Sequence, residues 1–234
     1  SGKGDFFGPL VTASAYVDHD LYTVMKDMGV RDSKSITSDD KALAMGQELR
    51  KLLGPRHSIV KIGPGAYNRL YAKMRSVNTL LAWAHARSIE NLLAVVPDCP
   101  RAISDQFGNK SQVTKALMQK GRSIELVQMH KAESDMAVAA ASILAREGFL
   151  RGLLEMKGKY GGKIPKGASA AVQERAVELV KAHSPNILLD VAKCHFKTTD
   201  AVLAAAGASR ADLGPEGQAV SKPYSRAPKK PSSD

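Results

Sequence analysis

Residues 1–17 read SGKGDFFGPLVTASAYV, and the fold turns on how this stretch is parsed. Ser1 to Asp5 holds small and polar residues around two glycines, a composition that favours a loop. Leu10 to Val17 is rich in β-formers and small residues and stops at the turn signal Asp18-His19-Asp20, so it reads as a strand. The chain therefore passes from a Gly-Lys-Gly loop, through Phe6 and Phe7, into a β-segment.

Working outward, Leu21 to Met28 has helical spacing. A polar loop follows, Asp32 to Asp40, and Thr37 or Ser38 is positioned to cap a helix that runs to about Leu53 and stops at Gly54-Pro55. Ser58 to Ile62 reads as a short strand closed by Gly63-Pro64-Gly65. Tyr67 to Ala94 carries apolar residues at helical spacing, with a break expected near Ser76. Arg101 to Ser104 is a short strand that delivers Asp105, and Ser123 to Gln128 a second that delivers Met129 and His130. Ser134 to Met156 is an alanine-rich helix whose small side chains let it lie close to a sheet. Lys157 to Ser169 reads as a Gly/Lys loop, Ala170 to His183 as a helix, and Ala201 to Ala206 as a shorter one. Strands and helices mix without strict alternation, which predicts an α/β domain with a mixed sheet and helices on both faces. The domain is expected to span residues 1–206. Residues 207–234, dominated by Pro, Gly, Ser and Lys, are expected to be a disordered basic tail.

The chain has 234 residues and a net charge of +11; the last twenty residues carry +2, so the body holds +9. A basic folded body favours a polyanionic partner such as nucleic acid. No apolar run is long enough to span a bilayer and no export signal opens the chain. Cys99 and Cys194 stand apart and imply no disulfide framework, so the expected setting is cytoplasmic. Cys194-His195 is a poor zinc candidate for want of further ligands.

Asp105 follows a strand and Asp135 opens a helix thirty residues later. Carboxylates at such positions converge at a sheet edge and can hold Mg²⁺ or Mn²⁺, because hard cations take carboxylate oxygens. Each also has a plainer reading: Asp105 as a turn residue, Asp135 as complement to the positive end of a helix. Lys157 to Gly167 is basic and glycine-rich, suited to phosphate contacts, and Gly158 to Gly161 fits the G-x-x-G pattern of KH domains. His85 reads as a packing histidine on its helix.

Several segments taken together resemble ribonuclease HIII, a type 2 ribonuclease H. Ser1 to Leu10 resembles the end of its Asp-Glu-Ser-Gly-Lys-Gly-Asp motif, and Asp32-Ser33-Lys34 its Asp-Ser-Lys element. Tyr67 to Tyr71 and Asn78 to Ala86 look like its central helices. Asp105-Gln106-Phe107 resembles its third-carboxylate segment, and Lys131 to Asp135 followed by Val138 to Ser142 its fourth. Pro165 to Ser169 and Cys194-His195-Phe196 match late elements. The likeness covers about residues 1 to 205, and Lys3 between the two glycines favours type HIII over type HII.

The resemblance implies a ribonuclease H-like fold and an endonuclease, expected to be monomeric, that cuts the RNA strand of RNA–DNA hybrids with two metal ions. It implies Asp105 and Asp135 as catalytic metal ligands, with Glu133 a rival for the second place, and Gly2, Lys3, Gly4, Lys34, Lys166 and Ser169 as substrate-binding residues. In that family an Asp-Glu pair at the end of a first strand stands immediately before the position of Ser1. The resemblance thus also implies a first strand and two carboxylates outside these 234 residues, and a chain inactive as it stands. The alternative expectation is a basic protein that binds RNA or hybrid without cutting it.

Overall fold

Alternation along the first strand sets the layers. In β1 (Leu10–Ala15), neighbouring side chains point to opposite faces. Leu10 clusters with Tyr67, Tyr71, Leu80 and Ala84, whereas Val11 clusters with Phe149, Leu150 and Leu153. The helices that supply these residues therefore cover opposite faces. The structure, a computed structural model, describes residues 1–31, 36–105, 110–117, 121–129 and 132–221.

Helix α1 (His19–Asp27) begins where the Asp18 carboxylate accepts from the Leu21 amide at 2.9 Å. Helix α2 (Asp39–Leu53) is capped by Ser38, whose hydroxyl accepts from Lys41, and ends at Gly54. The chain then returns as β2 (His57–Ile62), antiparallel to β1 with Leu10 opposite Ile62 and Ala15 opposite His57. The expected break in the long helical stretch divides α3 (Pro64–Met74) from α4 (Val77–Leu93). Arg75 turns left-handed at φ 54°, and the Ser76 hydroxyl caps α4 by accepting from Thr79 at 3.2 Å. Thr12 and Ser14 of β1 donate to the α4 carbonyls of Ala84 and Ser88 at 3.0 and 2.9 Å, fastening helix to strand.

Beyond α4 come β3 (Arg101–Asp105), α5 (Lys110–Ala116) and β4 (Glu125–Met129), with β3 and β4 parallel. The second face of β1 is covered by α6 (Met136–Tyr160). The close approach expected of this helix rests on glycine as well as alanine: a Cβ at Gly152 would lie 2.6 Å from the Pro9 ring. Helices α7 (Ala170–Ala182), α8 (Ile187–Val191) and α9 (Thr198–Ala205) close the core around Phe6 and Phe7.

Three expectations change. Among the described residues the strands form two separate pairs, one antiparallel and one parallel, within an α/β architecture. The Lys157 to Ser169 loop begins later, because α6 continues to Tyr160; Gly158-Lys159-Tyr160-Gly161 is a helix end rather than a KH-like loop. The ordered chain also does not stop at residue 206. Leu213 and Ala219 are buried, and the Arg210 guanidinium donates to the carbonyls of Cys194, Phe196 and Gly217. That side chain ties residues 207–221 onto the domain; residues 222–234 lie outside the described part. Among the described residues no helix is long and apolar enough to cross a membrane.

Candidate active site

A cleft of about 890 Å³ is lined by β1, β3, α4, α6 and the N-terminal loop. The loop is anchored at its start by backbone pairing. Ser1 N donates to Val11 O at 2.6 Å and Val11 N donates to Ser1 O at 3.0 Å, the close pair of an antiparallel ladder on the edge of β1 turned away from β2.

Gly2 sits at φ +84°, and a Cβ there would meet the Pro9 carbonyl oxygen at 2.2 Å. Only glycine fits, for both conformation and space. Gly4 differs: nothing lies within 4 Å of its would-be Cβ. Lys3 between them is exposed and donates to the Asn78 side chain at 3.3 Å. Asp5 then docks on the segment after α6: its carboxylate accepts from the Gly167 amide at 2.7 Å, and Phe6 N donates to Gly167 O at 2.8 Å.

Lys166, on the same segment, lines the cleft but is engaged by Asp39, with both carboxylate oxygens within 2.8 Å of its ammonium. Arg146 of α6 donates to the same carboxylate at 3.1 Å and to Ile36 O at 2.7 Å. Burial pushes the Asp39 carboxyl upward, but the bonds from Lys166 and Arg146 outweigh it and hold the group below its ordinary range.

Asp105 is the last residue of β3 and is exposed; Asp135 is the N-cap of α6 and half-buried. Both line the cleft. One Asp135 oxygen accepts from the amides of Ala137 and Val138 at 2.9 and 3.2 Å, so the helix-capping reading and the ligand reading meet in one side chain. Carboxylate oxygens are the chemistry a hard divalent cation takes. Among the described residues, no three His, Cys, Asp or Glu side chains cluster as a metal site. The side chain of Glu133 lies outside the described part, as does Lys34.

The cleft therefore gathers Lys3, Lys166, Asp105 and Asp135, with Gly2 and Gly4 shaping the loop at its mouth. Ser169 stands apart from the lining, exposed at the start of α7 and making no side-chain capping bond. Sequence reasoning passed over Asp39 and Arg146, which set the state of Lys166; Asp39 had been absorbed into a polar loop. It also passed over Asn78, which lay in a segment read only as helix. Cys194 and His195 are buried: Asn68 receives the Cys194 amide at 2.9 Å, and His195 stacks on Tyr71 at 4.4 Å between centroids. His85 lines the cleft from α4.

The chain matches the family described as ribonuclease HII over residues 1–199. It is 40% identical over 207 residues to ribonuclease HIII of Protochlamydia amoebophila, covering 88% of this chain and 67% of that protein. With ribonuclease HIII of Chlamydia muridarum it shares 40% identity over 209 residues, 87% of this chain and 67% of that one. Its fold is similar to that of Bst-RNase HIII, solved in complex with Mn²⁺, with a TM-score of 0.81 and 31% identity over 88% of this chain and 68% of that one. The chain belongs to the ribonuclease HII family, with ribonucleases HIII among its relatives.

Proposed function

We propose that this domain hydrolyses the RNA strand of RNA–DNA hybrids with the help of Mg²⁺ or Mn²⁺. The observation that carries the reading is the shared cleft: the carboxylates at the end of β3 and at the N-cap of α6 line it together with Lys3 of the glycine-bracketed loop. Asp105 and Asp135 would hold the metal, which when bound supplies an activated water and stabilises the leaving oxygen. The Ala137 and Val138 amides at the start of α6 fix the orientation of the Asp135 carboxylate. Lys3 and Lys166 meet backbone phosphates; Lys166 must exchange Asp39 for phosphate to do so. The open space at Gly4 admits a sugar edge, where a 2′-hydroxyl distinguishes RNA from DNA.

A second reading has an observation behind it. Two carboxylates are a sparse set for two metal ions, and among the described residues no third acidic group joins them as a cluster. On that reading the 234-residue chain binds hybrid without cutting it. One experiment separates the two: matched RNA–DNA hybrid and DNA duplex are incubated with the chain, with and without Mg²⁺ or Mn²⁺. Metal-dependent cuts confined to the RNA strand support hydrolysis. Preferential hybrid binding with no cutting supports the second reading, and equal treatment of both duplexes overturns both.

A further inference from the structure

We propose that Lys193 is the positioning residue of the Gly2–Asp5 loop, its buried ammonium fixing where Lys3 and Gly4 meet a bound nucleic-acid strand. The inference rests on the reading that this loop meets hybrid.

Lys193 is 0% exposed, a rare state for a lysine. Its Nζ donates to the carbonyl oxygens of Asp5, Phe7 and Gly8 at 2.8, 3.2 and 2.7 Å. An ammonium has three donors, and here each has an acceptor. The Lys193 amide donates to the carbonyl left over, Phe6 O, at 2.8 Å. One residue therefore binds all four carbonyls from Asp5 to Gly8. The same segment is also stitched through Gly8 N to Val191 O at 3.0 Å and by a Phe7–Ala192 bridge. The Tyr67 ring lies 5.8 Å from the ammonium and supplies a further favourable contact for a cation.

An apolar side chain would fill this position without the cost of burying charge, but it would strand three carbonyls away from water. The carbonyls belong to the strip that follows the Gly2-Lys3-Gly4 turn, in which Lys3 and Gly4 are exposed and Gly2 is buried, and that turn closes on itself through a long Asp5 N to Gly2 O contact at 3.4 Å. Lys193 thus holds the C-terminal end of the loop, beside the Ser1–Val11 pairing at its start and the Asp5–Gly167 bond. Cutting those bonds should loosen the loop while leaving Phe6 and Phe7 in the core.

The test uses the full chain with Lys193→Met, which keeps length and loses every donor, and Lys193→Gln, which keeps two donors and loses the charge. Dissociation constants are measured on RNA–DNA hybrid and matched DNA duplex without divalent metal, alongside circular dichroism and amide hydrogen exchange. Lys193→Met should cut the hybrid-over-duplex affinity ratio about tenfold, and Lys193→Gln about threefold, because shape-reading contacts are lost while phosphate contacts persist. Plain duplex binding should stay within about twofold of the parent chain, and the amides of residues 2–8 should exchange at least about tenfold faster. A purely structural lysine would instead lower the melting temperature and weaken both duplexes together, and that outcome overturns the proposal. So does an unchanged ratio in either folded variant; if Lys193→Met does not fold, Lys193→Gln decides. If the parent chain shows no preference for hybrid, the functional reading fails by itself. Loop exchange then decides Lys193, with unaltered rates overturning it.

Discussion

On the β1 side of the cleft, functional groups are tied down before any ligand arrives. Gly2 is wedged against Pro9, Asp5 is bound to Gly167, and Lys166 and Arg146 share Asp39. On the β3 side, Asp105 stands exposed at the end of a two-stranded parallel pair, and the Asp135 carboxylate accepts from the amides at the start of its own helix. One wall is rigid by hydrogen bonding. The other presents the carboxylates of Asp105 and Asp135 to the cleft. A substitution on the first wall should therefore register in stability or binding, and one on the second in chemistry.

The largest effect should come from the second wall. Asp105→Asn and Asp135→Asn should each lower metal-dependent hybrid cleavage by about a hundredfold or more, since each removes a ligand charge. Both should leave the unfolding midpoint almost unmoved, because Asn caps a helix about as well as Asp does. Asp135→Ala should add a loss of about 1 kcal/mol from the missing cap, which Asp105→Ala should not show. Cleavage rates measured beside urea unfolding check this. A stable Asp105→Asn variant that cuts at the parent rate would remove that carboxylate from the site.

Gly2 and Gly4 sharpen the comparison within three residues. Gly2→Ala places a methyl group against the Pro9 carbonyl in a left-handed backbone and should cost on the order of 2 to 3 kcal/mol. Gly4→Val meets open space and should change stability by less than about 0.5 kcal/mol, yet impair hybrid cleavage, because the branched side chain occupies the approach to a sugar edge. If Gly4→Val cuts hybrid normally, the loop is only a turn and the 2′-hydroxyl is read elsewhere.

These particulars show what the sequence made legible. The strand after Phe7, the cap at Ser38 and the break at Ser76 were visible because each is a local signal: β-formers beside turn residues, or a hydroxyl ahead of a helical run. Asp105 and Asp135 were singled out from strand-end and helix-start positions and from a family resemblance; both line the cleft, and their role as metal ligands is a proposal. What escaped is tertiary. Gly-, Pro- and Ser-rich composition after Gly207 reads as disorder, yet one guanidinium reaching three carbonyls orders it. Helix α8, five residues long, is too short to show a period. Lys193 sits beside a Cys-His pair with no pattern around it; only the folded chain brings it under Asp5 to Gly8.

Acid should expose the packing beneath the loop wall. Burial, reinforced by Lys193 and Arg210, pushes His195 from its ordinary 6.5 down to about 4. Between those values the unfolded chain binds a proton that the folded chain refuses, so stability is lost as pH falls below about 6.5. Lys193, driven by burial to about 7 and only partly restored by Asp5, acts in the same sense at higher pH: stability should rise from about pH 7 toward 10.5. Urea midpoints should therefore be lower at pH 5 than at pH 7, by about 1 to 2 kcal/mol of folding free energy. His195→Gln should shrink that difference. A pH-independent midpoint in the parent chain would count against a buried neutral imidazole.

The smallest effect tests whether the loop wall is fully committed before substrate binds. Lys166 is held by Asp39, so a phosphate must compete for it. An exposed ion pair contributes well under about 1 kcal/mol, which makes the exchange cheap. Lys166→Met should then barely alter stability, weaken hybrid and duplex binding alike, and reduce the slope of log affinity against log salt by about 0.9, the value for one phosphate contact. Asp39→Asn should do the opposite, freeing the ammonium and tightening binding by about twofold at low salt, an advantage that fades as screening rises. The pair of measurements is discriminating because the two roles of Asp39 pull apart. If Asp39 only competes with phosphate, its loss strengthens binding; if it aims Lys166 into the cleft, its loss weakens binding as much as Lys166→Met does. Salt titrations of both variants against the parent chain read that sign directly, and a weakened Asp39→Asn variant would move Lys166 from a waiting cation to a preorganised one.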